Sequence, residues 1–502
     1  MKFLYIQLVF FFLLVNFSAS AQTRYCEEVF SQVDSTDNLV YSTNRIFWPF
    51  TTGLPPQGEL TMTFYEPIGD TATARPLMII LHGGNFLPQP YNQSVMGSRY
   101  DSSIVELCRR YAKRGFVAAA ISYRQGWNAI SSDQDARTST LLKAVYRAVQ
   151  DVKGAVRFFK KDAATTNQFR VDPNNIGLMG LGSSGFISMA YATLNKYEEI
   201  TLPKFLDGNT AEPYIDTLQM GNYEGFGGDP NYNMPNWPGY DSNISLAINA
   251  GGALGDSTWL EAGEVPMICF HVPGDPYAPY TEGMVLVPTT GGNVVYVSGP
   301  YQIAKRCNNP VFGDNNAIFR NPPFIDPITL SINQRNDGFE GLCPFFTNPP
   351  QQSGPWDWWD NDNAVALWGQ DMVTSELITN PNMSRNYALA FIDTMMDYTV
   401  PRFVRIMGLE NCPGTTGIQT ALQPKWEIFP NPFKNDLQIQ IPSAMLGATL
   451  QMKNNLGQTV ASLNGLNSLG FNWNLPLIQA GFYTLEIQTE QGCFQKKVLR
   501  IE

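Results

Sequence analysis

The sequence predicts an α/β fold, a mostly parallel sheet with helices on both faces and long loop insertions, followed by a small antiparallel β-sandwich. Three observations carry this. Short apolar runs alternate with helical patterns from Leu77 to Arg405, two long segments rich in Gly, Pro and Asn interrupt them, and beyond a linker the apolar period changes to two.

The run Leu77-Met78-Ile79-Ile80-Leu81 reads as a buried strand and ends in His82-Gly83-Gly84. Ser102 to Lys113 follows as a helix with Ile104, Val105, Cys108 and Tyr111 on one face, and Gly115 stops it. Phe116 to Tyr123 is the next strand. Thr138 to Lys160 is a long amphipathic helix, with Leu142, Val145, Ala148, Val152 and Val156 at helical spacing. Ile176 to Met179 is a strand, and a helix starts near Ser184. Strands are expected at Ser245–Ala250, Val265–His271 and Val294–Val297, and Met383 to Met407 closes the series as a helix. The interrupting segments are Leu202 to Asn243 and Asn308 to Asn363; loops of this length cover a site or decorate the fold. Gly408 to Pro424 is a Pro/Gly/Thr-rich linker. After it, strands of alternating pattern lie at Leu437–Ile441, Thr449–Met452, Phe482–Thr489 and Lys496–Ile501.

The chain opens with Lys2, an apolar run from Phe3 to about Val15, and Ala19-Ser20-Ala21. This is the pattern of a secretory signal cleaved after Ala21, and the run is shorter than the ~20 residues of a membrane span. No later stretch reads as a span. The expected division is 1–21 signal peptide, 22–408 large domain, 409–424 linker and 425–502 tail. A net charge of −11 without a basic run excludes nucleic acid and anionic membrane as partners. The seven cysteines show no metal spacing, and there are two histidines, so neither a metal nor another cofactor is expected. Cys108 and Cys269 fall inside apolar patterns and read as buried thiols. Cys307 and Cys343 flank one loop-rich segment and are the best candidates for a bridge.

Over its whole length the tail resembles the C-terminal sorting domain of cargo of the bacterial type IX secretion system. The resemblance rests on Ile428-Phe429-Pro430-Asn431-Pro432-Phe433, Asn455-Leu456-Gly457-Gln458-Thr459-Val460, Leu477 with Gly481-Phe482-Tyr483, and Lys496-Lys497-Val498. It implies a Bacteroidota source, the type IX machinery as partner of residues 425–502, and release or attachment outside the outer membrane. An ordinary carbohydrate-binding sandwich is the competing reading of the tail.

In the large domain, Leu81-His82-Gly83-Gly84-Asn85-Phe86 resembles the HGG segment of α/β-hydrolases of the esterase and lipase type, which supplies oxyanion-hole N–H groups. Val171-Asp172-Pro173-Asn174-Asn175-Ile176-Gly177-Leu178-Met179-Gly180 resembles the strand that leads to their nucleophile elbow. Aligning Gly180 on the first motif glycine puts Gly182 at the nucleophile position, with Ser183, Ser184 and Gly185 after it. Met267 to Tyr280 resembles the family's acid loop, and Asp275 falls on the acid. The family's base histidine follows the acid, whereas His82 and His271 both precede Asp275. The loop after the next strand reads Gly299-Pro300-Tyr301-Gln302. Over about Leu60 to Arg405, then, the resemblance implies esterase-like ancestry without a complete Ser-His-Asp set, because a serine with no imidazole beside it has nothing to take its proton. Asp275 alone reads as a structural capping residue.

Two functions follow as alternatives. One is a binding protein that uses the old pocket for a small molecule, ester or carboxylate, with Gly83, Gly84 and the N–H groups near Ser183 as floor and Leu202–Asn243 as roof. The other is an ester hydrolase with a rearranged site on Ser183 or Ser184. Gly180 to Gly185 also spells G-x-G-x-x-G, with Glu198 and Glu199 downstream, but the motif stands on a middle strand of an exported chain. The cluster Trp356-Asp357-Trp358-Trp359-Asp360 reads as sugar-stacking or, preferably, as packing beneath a loop.

Overall fold

The computed structural model describes residues 24–48, 53–89, 91–287, 290–409, 411–413, 415, 426–442, 445–454, 458–475, 477–489 and 492–501. The expected signal peptide, most of the linker and the Asn455–Gly457 part of the tail motif lie outside them. The chain forms two units, residues 1–416 and 417–502.

The large unit is built on strands β1 (Val33–Arg45), β2 (Gln57–Pro67), β3 (Arg75–Leu81), β4 (Val117–Ile121), β5 (Val171–Leu181), β6 (Leu246–Ala250) and β7 (Met267–His271). A separate hairpin, β8 (Glu282–Leu286) with β9 (Asn293–Ser298), precedes β10 (Leu342–Pro344). The main sheet runs in the order β1-β2-β4-β3-β5-β6-β7-β10, antiparallel at β1/β2 and β2/β4 and parallel from β4 onward. The expected strand over Val294–Val297 exists, but it belongs to the hairpin and not to this sheet. Its place beside β7 is taken by the three-residue β10, too short for a periodicity to reveal.

All seven residues of β3 are buried, as a central parallel strand covered on both faces requires. Leu77, Ile79 and Leu81 face one core, which includes α2 (Gln134–Ala164), α3 (Ser184–Thr193) and α4 (Pro300–Cys307). Met78 and Ile80 face the other, with α1 (Ser102–Lys113), α5 (Pro327–Asn333) and the long helix α8 (Arg385–Ile406). Between α5 and α8 lie α6 (Asn361–Trp368) and α7 (Gln370–Thr379). The helix expected at Ser102–Lys113 has those bounds, while α2 runs about one turn further at each end than its apolar spacing suggested.

The two cores also overturn the expected disulfide. Cys307 packs in the first core and Cys343 in the second, on opposite faces of the sheet, and both are free and buried. The bridge is Cys26–Cys412, with Cα atoms 5.5 Å apart and a sequence separation of 386. Cys108 and Cys269 are buried thiols, as their patterns predicted. No helix among the described residues is long and apolar enough to cross a membrane.

In the tail, β11 (Glu427–Phe429), β12 (Asp436–Gln440) and β15 (Gly470–Asn474) form one antiparallel sheet. The second contains β14 (Thr459–Leu463), β13 (Thr449–Lys453), β16 (Gly481–Thr489) and β17 (Gly492–Arg500), in that order. Leu437, Ile439, Leu450, Met452, Leu485 and Ile487 alternate with exposed polar residues and fill the core with Trp426 and Trp473.

Candidate functional site

A tight turn leads from β5 into α3. Gly182 occupies its apex with φ +57°, a left-handed conformation, and its N–H donates to the Ala250 carbonyl at 2.7 Å. A Cβ built there would meet nothing closer than the Gly83 Cα, at 3.8 Å, so the apex is open toward the HGG segment. On either side the turn is closed to side chains: a Cβ on Gly180 would lie 2.1 Å from the Ser184 carbonyl oxygen, and one on Gly185 2.0 Å from Asn249 Oδ1. Ser183 follows the apex, half-buried, and its Oγ accepts the Asn85 N–H at 3.0 Å. Ser184 is fully buried, with its hydroxyl proton shared between the carbonyls of Leu81 (2.8 Å) and Leu181 (2.9 Å). Ser183 borders the cavity in front of the elbow, and Ser184 does not.

The HGG segment lies against this turn. Gly84 has φ +99°, and a Cβ there would come within 2.8 Å of the Gly97 Cα, so only glycine fits without displacement. His82 is buried behind the segment, stacked on Tyr123 with ring centroids 4.8 Å apart, and Tyr123 donates to the His82 carbonyl at 2.7 Å. Burial pushes the His82 pKa down to about 4, so the ring is neutral, and it does not border the cavity.

Asp275 stands after β7 and accepts the N–H groups of Tyr277 (2.7 Å) and Ala278 (3.2 Å), which fixes the acid loop. Burial raises its pKa, and the His271 ring, those two N–H groups and the Ser353 side chain favour its ionised form. His271 is fully enclosed. Its Nε2 pairs with the Ala278 carbonyl at 3.0 Å, Nδ1 has no partner among the described residues, and burial lowers its pKa. The residue that reaches Asp275 from later in the chain is therefore Ser353, in the loop after β10. The sequence places the expected position of the base in the loop after Val294–Val297, whereas the loop after β10 is the one that reaches Asp275. No sequence signal marks Ser353, since a serine in a Pro/Gly-rich loop is unremarkable.

A cavity of about 900 Å³ joins these segments, bordered by Gly83, Gly84, Gly182, Ser183, Ser353 and residues further out. One wall is apolar, with Leu141, Leu142, Val145, Phe186 and Val294. Another part of the lining is acidic: Asp101, Asp357, Asp371 and Glu376 border the cavity, and no Lys, Arg or His among the described residues does. Asp101 accepts the N–H groups of Gly97 (2.8 Å) and Ser98 (3.1 Å), and Ser103 donates to Asp357 at 2.5 Å. Burial raises Asp101 to about 7 and Asp357 to about 8, with the Glu376 carboxyl adding to both shifts and Asp101 adding to that of Asp357, and burial raises Glu376 as well. Sequence reading missed this wall because its members come from three separate segments.

The roof is also different from the expectation. Leu202–Asn243 contributes nothing to this cavity. It packs on α2 and β1 instead, with Glu224 paired to Lys153 and Arg157 and Asn236 bonded to Thr43. The covering residues are Ser353 to Asn380, from the second insertion onward. Within the tryptophan cluster, Trp356 is core, Trp358 packs against core, and Asp357 and Trp359 border the cavity. Glu199, downstream of the G-x-G-x-x-G pattern, accepts the N–H groups of Asn195 and Lys196 in a local cap. Among the described residues no group of three His, Cys, Asp or Glu side chains is placed to hold a metal.

Residues 62–219 match the BD-FAE family model, and residues 427–502 match that of the secretion system C-terminal sorting domain. The large domain has an esterase-like α/β-hydrolase fold. The tail is a sorting domain of the type IX kind, which directs the protein to export, at the cell surface or released. No protein with a curated description matches the chain. Among solved structures, Thermogutta terrifontis esterase 2 phosphorylated by paraoxon is 18% identical, covering 49% of this chain and 73% of that one, with a TM-score of 0.30. The apo form of that esterase is 18% identical over 51% and 76% of the two chains, TM-score 0.28. The propionate-bound thermophilic esterase from the same Planctomycetes species is 15% identical over 64% and 89%, TM-score 0.32.

Proposed function

We propose that the large domain is an exported binding protein that keeps the pocket of an esterase-like fold and has lost its hydrolytic chemistry. The observation that carries this is Gly182 at the elbow apex, where the nucleophile's side chain would stand. Two further features support it. The position facing Asp275 is held by Ser353, whose hydroxyl is no base near neutral pH, and neither histidine borders the cavity. The acidic wall, without an opposing cation, favours an uncharged or cationic small ligand over the carboxylate that the backbone N–H groups alone would suggest.

A second reading has one observation in its favour: Ser183 borders the cavity one residue beyond the apex. A hydrolase rearranged on Ser183 would need a carboxyl such as Asp357 to take its proton. The test is a panel of short acyl esters assayed with wild type and Ser183→Ala. The binding reading expects no turnover above background in either. Wild-type turnover that Ser183→Ala abolishes would overturn it in favour of the rearranged hydrolase.

A further inference from the structure

A second cavity, of about 240 Å³, shares Trp127 with the first and is bordered by Phe47, Asn128, Lys143, Arg147 and Tyr232. Lys143 and Arg147 are four residues apart on α2 and so share one face of the helix. Arg147 is only 5% exposed. Among the described residues its guanidinium makes one hydrogen bond, from Nη2 to the Gly126 carbonyl at 2.6 Å, and lies over the Phe47 ring at 4.2 Å. Its Nε has no partner among the described residues.

Arg147 has no counter-charge among the described residues. Arg75, Arg124, Arg157 and Arg402, which are more deeply enclosed, face Glu66, Asp151, Glu224 and Glu340, while the buried Arg137 and Arg405 also lack a carboxylate but bond to two or more carbonyls each. Asp151, the acid that acts on Arg147, is already engaged by the backbone N–H and Nε of Arg124. Among the described residues Lys143 has no ion pair either; Asp207 and Asp216 act on it only at longer range. Burial and the neighbouring Arg124 bring the Arg147 pKa down to about 9, which leaves it charged at neutral pH. An enclosed cation without a partner is costly, and a carbonyl and a ring face compensate only part of that cost. Asn128 borders the same space with Oδ1 unpartnered, and a half-turn of that amide presents an NH₂ donor there.

We propose that this cavity binds a small oxyanion, a carboxylate or a phosphate group, held by Arg147 and Lys143. The guanidinium fork suits either group, and the aromatic border formed by Phe47, Trp127 and Tyr232 accommodates an apolar or ring-bearing remainder. The site is separate from the elbow, so it stands or falls apart from the reading of the first cavity.

The test is calorimetric titration of the full chain with benzoate and with inorganic phosphate, against chloride at matched ionic strength. Saturable binding of at least one is expected, weakened about tenfold or more in both Lys143→Gln and Arg147→Met by the loss of a charged hydrogen bond. Benzoate alone would identify an organic carboxylate, and phosphate alone a phosphate group; either result supports the site. In the absence of anion, Arg147→Met should melt no lower than wild type, because it removes an uncompensated buried charge. No saturable binding of either anion would overturn the proposal. So would binding unchanged in Lys143→Gln, the half-exposed position whose substitution does not depend on the core tolerating a new side chain.

Discussion

If Gly182 and Ser353 stand where a nucleophile and its base would stand, restoring both should create an esterase, and restoring either alone should not. In Gly182→Ser the new Cβ faces open space, with the Gly83 Cα at 3.8 Å, so its cost is mainly that of a non-glycine residue at φ +57°. That is about 1–2 kcal/mol, or a few degrees of melting temperature in a domain of this size. Ser353→His places an imidazole where Asp275, already fixed by the N–H groups of Tyr277 and Ala278, can orient it. A complete triad is worth about 10⁶-fold in kcat. A misplacement of about 1 Å, to be expected of a grafted pair, gives back about 10²-fold. The double variant should therefore hydrolyse p-nitrophenyl acetate about 10³- to 10⁴-fold faster than either single variant. The steady-state release of nitrophenol measures this, with melting curves to show that all three variants are folded. A folded double variant no faster than the singles would refute the assignment of Ser353 to the base position. Activity in Gly182→Ser alone, equal to the double, would show that a base stands elsewhere in the cavity.

Three further outcomes are expected. Asp101 and Asp357 titrate near 7 and 8 when folded and near the ordinary carboxylate range when unfolded, so the folded state binds more protons between these limits and stability falls as pH rises. The two histidines, lowered by burial, act in the opposite direction but only below their unfolded value near ~6.5, so melting temperature should fall from pH 6.5 to 8.5, and Asp357→Asn should flatten that slope. Replacing Cys26 and Cys412 by serine should cost about 2–5 kcal/mol, read by denaturant unfolding of the oxidised wild type and the variant, since the bridge closes a sequence separation of 386. Truncation after Thr416, the boundary of the two units, should leave melting of the large domain unchanged while preventing surface display or release, as followed by fractionation.

The fold was legible wherever a segment has enough residues to show a period. Strand β3, helix α1 and the alternating strands of the tail announce themselves by apolar spacing. What the sequence concealed depends on chain folding back across long distances. The three residues of β10 carry no period of their own, yet their pairing with β7 is what delivers Ser353 to Asp275. The acidic wall draws Asp101 from the start of α1, Asp357 from a loop and Glu376 from α7, so no window contains it. The bridging error has the same origin. Cys307 and Cys343 are near in sequence, but the sheet passes between them, whereas Cys26 and Cys412 lie at opposite ends of the domain.

The Cys26–Cys412 bond turns the large domain into a covalent ring. Arg24 and Tyr25 anchor the start of that ring, through the Asp70 carboxylate and the Phe116 ring respectively. The chain before Cys26 and the chain after Cys412 hang outside the loop, so a cut in either would not open it. A single peptide bond cut anywhere between the two cysteines leaves one molecule, which separates into two pieces only after reduction. The ring also cannot close until residue 412 has been made, so its formation marks the moment at which the whole of the pocket-bearing chain is present. For a protein that works beyond the reach of the cell's chaperones and energy supply, resistance to a nick is then set by bond topology rather than by the strength of any one packed interface.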